Sequence, residues 1–255
     1  FNPSMVKAVY DNMAADEPKN PFTVGINDDV THLSLDYSET VETQAVAGMY
    51  QSVFYGIGND GTVGGTKQVA SILGNTPGLY AQAYFSYSAK KSGGYTISQL
   101  RIGKEPVTSA YGIDEADYVA CHKPGYVNRF DMVSRVRDGG VFVLNSPWKD
   151  SAMPAKLPLA MRKAISAKKL KFYCIDAGSI AAQCGLGPRI NMIMETVFLK
   201  LSAIVPFDES FAALKEQIAT TYRHEGGEVV ERNIRSVDMA LGALREVDYG
   251  SIDGW

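Results

Sequence analysis

Hydrophobic and polar positions along this chain switch repeatedly between a period near two and a period near 3.6. At the start, Met5, Val6, Val9, Tyr10 and Met13 fall at helical spacing behind Asn2-Pro3, a side-chain cap followed by proline in the first turn. Glu17-Pro18-Lys19-Asn20-Pro21 ends that helix, and Phe22 to Ile26 reads as a short strand closing on Asn27-Asp28-Asp29. Val53–Tyr55 is an apolar run, Val63–Leu73 a helical pattern and Leu79–Tyr87 a strand, so residues 52–87 predict a βαβ unit. Further strands are predicted over Tyr95–Ile102, Tyr118–Cys121, Gly140–Asn145 and Leu170–Ile175. The Gly140–Asn145 segment is apolar enough for a sheet centre covered on both faces. Between these strands, Phe130, Met132, Val133 and Val136 predict a helix, as do residues Leu157–Lys168. After Gly187 the strand signals stop, and Ile190–Ala203, Glu209–Arg223 and Gly227–Leu244 all read as helices.

This alternation predicts an α/β fold: three α/β/α layers around a mostly parallel sheet, with a helical C-terminal third. Residues 1–255 read as one domain, with 1–186 the α/β sheet core and 187–255 a mainly helical extension. Composition changes little in this picture. The chain has 255 residues, 45% hydrophobic and 21% charged, with a net charge of −3, which gives no electrostatic case for nucleic acid. No apolar run reaches the roughly 18–20 residues a membrane helix needs. The best candidate, Ile190 to Pro206, is interrupted by Asn191, Glu195 and Lys200. Cys121, Cys174 and Cys184 are odd in number and widely spaced, so neither a disulfide framework nor a metal-cluster motif follows, and cytoplasmic thiols are expected. The opening Phe-Asn-Pro, with neither Met nor a basic leader, reads as a mature product or a piece of something larger.

The strongest chemical signal is the turn Gly56-Ile57-Gly58-Asn59-Asp60-Gly61 between a strand and a helix. Glycines there let backbone N–H groups approach an anion at the positive helix end. The spacing is G-x-G-x-x-G, yet the acid that would hold a ribose on the next strand is missing, and Lys90-Lys91 stands there instead. Two lysines suit a ligand with extra phosphates. The competing reading is a glycine turn that serves only close helix–sheet packing. Asp28, Asp29 and His32 read as a capped turn, and His122, with no partner identifiable in the sequence, as a structural histidine. Asn145-Ser146-Pro147-Trp148 and Gly185-to-Asn191 are further candidate ligand or interface positions. No catalytic triad, zinc motif or phosphate-loop motif of the G-x-x-x-x-G-K type is present, so the chain reads as a binding module with no catalytic or metal-ligating residues.

Several strings taken together resemble one family. Phe22-Thr23-Val24-Gly25-Ile26-Asn27-Asp28-Asp29-Val30-Thr31, the Gly58-to-Lys67 loop, Tyr80-to-Phe85 with Lys90-Lys91-Ser92-Gly93-Gly94, and Asn145-Ser146-Pro147-Trp148 are similar, in order, to the central γ-type domain of pyruvate:ferredoxin (flavodoxin) oxidoreductases. The resemblance implies a cytoplasmic, homodimeric parent that decarboxylates pyruvate on thiamine diphosphate with magnesium. Such a parent passes electrons through [4Fe–4S] clusters to ferredoxin or flavodoxin and hands the acetyl group to coenzyme A. Thiamine and clusters would sit on other domains, which would be this chain's partners. Coenzyme A would sit here, on Gly58, Asp60, Gly61, Thr62 and Lys67, with Lys90 and Lys91 on its phosphates. Gly65-Thr66 departs from the Ala-Asn that many members carry. An interdomain scaffold and an NADP-binding oxidoreductase domain are the alternative readings.

Overall fold

The computed structural model describes residues 2–37, 47–58, 60–88 and 94–255. Helix α1 (Pro3–Ala14) begins where the sequence places its cap: Asn2 Oδ1 accepts the Met5 N–H at 2.9 Å. Two short parallel strands follow, β1 (Thr23–Val24) and β2 (Ser34–Leu35). Asp29 closes the turn between them by accepting the N–H groups of Thr31 and Ser34. These bonds, with the Thr31 hydroxyl first among them, hold its carboxyl down at about 2. The Asp28-Asp29-His32 string is thus a turn.

The main sheet contains β3 (Tyr50–Ile57), β4 (Tyr80–Tyr87), β5 (Tyr95–Gly103), β6 (Ala116–Cys121), β7 (Val136–Asn145), β8 (Lys171–Ile175) and β9 (Arg245–Glu246) in the order β4-β5-β3-β6-β7-β8-β9. β3, β6, β7 and β8 pair in parallel, while β5 runs antiparallel to both β3 and β4, and β9 antiparallel to β8. The fold is α/β with a mixed sheet. Residues 52–87 do form strand, helix and strand, but β5 inserts between the two strands. The unit is therefore a split crossover, not the adjacent pair of a dinucleotide fold.

Helices cover both faces. α2 (Thr62–Gly74), α5 (Ala177–Gln183), α6 (Asn191–Ser202), α7 (Phe207–Tyr222) and α8 (Gly227–Ala243) bury Phe54, Leu100, Tyr118, Val143 and Ile175 on one side. On the other, α3 (Met153–Lys156) and α4 (Leu159–Ala167) cover Val53, Val119, Phe142 and Phe172. The predicted helix through Phe130–Val136 is absent. Two 3₁₀ turns, Pro124–Asn128 and Val133–Arg135, carry that segment, and β7 begins at Val136. Met132 and Val133 are buried against the sheet without needing a regular helix. α6 is buried all round from Met192 to Leu199, because it runs between the sheet and the outer helices α7 and α8.

Candidate functional site

Chain direction creates a crevice. After β3 the chain crosses to α2 on one face, whereas after the neighbouring β6 it turns onto the opposite face. Their carboxyl ends form a topological switch point, the usual ligand position in open α/β sheets. The glycine turn sits there.

Gly61 occupies the N-cap of α2 at φ +86°, a conformation that glycine adopts without Cβ strain. Asp60 is 4% exposed and turned inward. Its Oδ2 accepts the Ile57 N–H at 2.8 Å, and its Oδ1 accepts the N–H and hydroxyl of Thr62 at 2.9 and 2.6 Å. The carboxylate therefore ties the strand end to the helix start and lies at the positive end of the helix dipole, where a negative charge is stabilised. Thr62 Oγ1 also lies 2.8 Å from His122 Nδ1, at the end of β6. Its single proton goes to Asp60, so Thr62 accepts from His122, and the imidazole carries its hydrogen on Nδ1. Asn145 completes the frame: its Nδ2 donates to the His122 carbonyl at 2.8 Å, and its Oδ1 accepts the Ala177 N–H opening α5 at 3.0 Å.

Helix α6 closes the crevice. Asn191 and Glu195 are one turn apart on it, and Gly61 and Gly65 are one turn apart at the start of α2. A Cβ at Gly61 would lie 2.8 Å from Asn191 Oδ1, and one at Gly65 would collide with Glu195 Oε1. The two glycines are thus a notch that receives two polar side chains. Beyond it a groove of about 750 Å³ opens between α2 and α7, lined by Lys67, Gln68, Asn191, Thr220 and Tyr222 among others.

Of the residues expected to bind a ligand, Gly58, Asp60, Gly61 and Thr62 come together. Gly58 N–H donates to the carbonyl of Gly94 at 3.2 Å, three residues past Lys91. Lys67 lies on the next turn of α2, exposed, with its Nζ over the Phe85 ring at 5.5 Å. Lys90 and Lys91 lie outside the described residues. Sequence reasoning gave His122 no partner and missed the part played by Glu195. Its signal was a lone acid within the buried stretch Met192–Leu199 of α6. Among the described residues no cluster of three His, Cys, Asp or Glu side chains could hold a metal ion, and no helix is long and apolar enough to cross a membrane.

Burial pushes the Glu195 carboxyl well above 4.5, with Asn191 opposing only in part, so it is a neutral acid in the fold. Burial pushes His122 below 6.5, against the pull of Asp60, so it is a neutral base. The signs are opposite. Glu195 contributes stability that is complete below pH 4.5 and is lost as pH rises through its folded value. His122 contributes stability that is complete above pH 6.5 and is lost on acidification. Glu195→Gln is neutral at every pH, so thermal melts should show it gaining on the parent protein steadily as pH rises from 4.5. Equal pH slopes for the two proteins would contradict this assignment.

The profile of the Pyruvate ferredoxin/flavodoxin oxidoreductase family matches residues 51–243, the stretch that holds the main sheet through β8, the glycine loop and helices α2 to α8. The chain belongs to that family. It is 51% identical over 249 residues to the pyruvate:ferredoxin oxidoreductase of Moorella thermoacetica, a match that covers 98% of this chain and 21% of that protein. The chain thus spans about one-fifth of the length of this relative. Two solved structures share the fold. A pyruvate oxidoreductase subunit from Thermotoga maritima superposes with a TM-score of 0.63 at 18% identity, covering 79% of this chain and 99% of that subunit. The 2-oxoglutarate:ferredoxin oxidoreductase of Magnetococcus marinus, solved with 2-oxoglutarate, coenzyme A and succinyl-CoA, superposes with a TM-score of 0.58 at 19% identity over 77% of this chain and 31% of that one.

Proposed function

We propose that residues 1–255 are the γ-type, coenzyme A-binding domain of a pyruvate:ferredoxin (flavodoxin) oxidoreductase. The whole enzyme converts pyruvate, coenzyme A and an oxidised acceptor to acetyl-coenzyme A, carbon dioxide and reduced acceptor. One observation carries the reading: the glycine turn presents the N-terminus of α2 at the switch point, beside a groove open to solvent. Val63 and Gly64 have first-turn N–H groups with no intrahelical acceptor, which a pyrophosphate would fill. Gly58, Gly61 and Thr62 shape that turn from backbone and hydroxyl, and Asp60 holds it rigid. Lys67, Lys90 and Lys91 supply the charge for the remaining phosphates. The Magnetococcus relative, solved with coenzyme A, supports the same ligand class. Thiamine diphosphate, magnesium and the clusters belong to other parts of the enzyme, which would be a homodimer and would deliver electrons to ferredoxin or flavodoxin.

A scaffold role has one observation in its favour. Asp60 already spends its charge on the loop's own N–H groups, as a purely structural turn would require. The NADP reading loses its ground, because β5 separates β4 from β3, so the glycine turn does not open the adjacent two-strand crossover of a dinucleotide fold. Calorimetric titration of the chain with coenzyme A, dephospho-coenzyme A and NADP separates these readings. Coenzyme A should bind, and removing its 3′-phosphate should weaken binding about tenfold or more, in line with loss of a charge-assisted contact. Absence of binding, with unchanged coenzyme A kinetics for Lys90→Ala and Lys91→Ala in the full-length enzyme, would favour the scaffold.

A further inference from the structure

The hydrogen-bonded chain from Asp60 through Thr62 to His122 stops at an unpartnered atom. His122 Nε2 is buried without a hydrogen-bond partner, and neither carboxyl oxygen of Glu195 has one of good geometry, although Asn191 pulls on the acid from one turn earlier. These residues are 6% and 5% exposed. They line the same small cavity, together with Thr62, Thr66, Asn191 and the apolar walls Phe54, Val69 and Phe198. Two polar groups left bare in one apolar pocket would each cost about 1–3 kcal/mol, so chance burial of both is a poor explanation.

Donor arithmetic makes them complementary. His122 carries its proton on Nδ1, so Nε2 offers only a lone pair. A carboxyl group buried without a cation keeps its proton and offers an O–H. The cavity measures about 10 Å³, close to the minimum that holds one water. Thr66 Oγ1 donates to the Thr62 carbonyl at 2.9 Å and keeps lone pairs free, which gives a water a third partner.

We infer that one water molecule, held between His122 Nε2 and a protonated Glu195, completes a buried relay Asp60–Thr62–His122–water–Glu195 that fixes the start of α2 against α6. Glu195 is then a positioning residue. It acts on the glycine loop through the water, His122 and Thr62, while Asn191, one turn earlier, presses on Gly61 directly. Gly65 is required because any side chain there would displace the acid. Glu195 and His122 are the titratable groups of the cavity. Asp60 faces His122 from the loop, and Tyr222 on α7 faces Glu195 and Arg189. The inference does not depend on what the loop binds.

Nitrogen-15 NMR of the histidine rings, with infrared spectroscopy of the carboxyl groups, tests it on the whole chain. His32 and His224 are exposed and His122 is buried, so His122 is the ring expected to stay neutral on acidification through 6.5. It should be the Nδ1–H tautomer, with Nε2 hydrogen-bonded and a long-lived water cross-peak to the ring. A protonated-carboxyl band should persist at neutral pH and vanish in Glu195→Gln. That variant, whose amide also donates, should preserve the Nε2 bond, whereas Glu195→Leu should move the Nε2 resonance toward the free-imidazole position and abolish the water signal. A proton on Nε2, a missing carboxyl band, or a ring in contact with Glu195 and no bound water would overturn the relay. If the leucine variant fails to fold, the tautomer and the band in the parent protein still decide.

Discussion

Gly56→Ala should lower the folding stability of this chain by about 3 kcal/mol or more, while Gly64→Ala should raise it by about 0.5–1 kcal/mol. Both substitutions add one methyl group near the same loop. Gly56 lies in β3 directly beneath Thr62, where a Cβ would collide with the hydroxyl and lie 2.6 Å from Thr62 Cβ and 2.9 Å from Cγ2. Thr62 cannot turn aside. It is β-branched, and its Oγ1 is fixed between Asp60 and His122, so any rotation abandons two buried hydrogen bonds. Overpacking of this kind costs about 1–3 kcal/mol, and leaving buried polar groups unpaired costs about as much again. Gly64 is exposed, and a Cβ there meets nothing within 4 Å, so alanine brings only its better helix propensity. Denaturant melts at unchanged m-value measure both effects. A Gly56→Ala midpoint within error of the parent's would mean that the turn is slack and that Thr62 is not locked.

Much of the fold was legible because its signals are local. Asn2-Pro3 caps α1, and the helical thirds of the periodicity became α6, α7 and α8. The apolar stretch ending at Asn145 became a central strand. Strand order was not legible. Leu79–Tyr87 and Tyr95–Ile102 read alike as strands, and nothing in their periodicity says that the second inserts beside β3. Pairing is settled by long-range packing, which periodicity does not encode. The segment 124–136 misled for a related reason. Met132 and Val133 are spaced as on a helix, yet burial of a few side chains against a sheet is satisfied as well by 3₁₀ turns, and Pro124-Gly125 favours turns. At the site, Gly58 and Gly61 announced the turn through their spacing. The pairing of Thr62 with His122, sixty residues apart, and the facing of Gly65 by Glu195 are properties of assembled elements. Only the oddity of a lone acid within Met192–Leu199 pointed to them.

Phe198→Ala should cost about 3–5 kcal/mol, the usual range for emptying an aromatic site in a core, and it should also change how stability depends on pH. Phe198 has no exposed surface and meets Tyr118, Phe54 and Tyr50 edge-on, with ring centroids 5.0, 5.3 and 6.3 Å away. It pins α6 to β3 and β6, the strands of the switch point. It also forms one wall of the cavity that holds Glu195 and His122. Truncation joins the vacated volume to that cavity and leaves room for several waters. Hydration favours the charged forms of both groups, so the Glu195 carboxyl should move back down toward 4.5 and His122 back up toward 6.5. The stability–pH curve of the variant should therefore be lower and flatter than the parent's on both limbs. Phe198→Leu keeps most of the volume and should lose less stability while retaining the parent's slopes. Loss of stability in Phe198→Ala with both slopes intact would mean that other walls keep the acid and the imidazole dry. The aromatic cluster would then support the sheet without governing the charge state of the site.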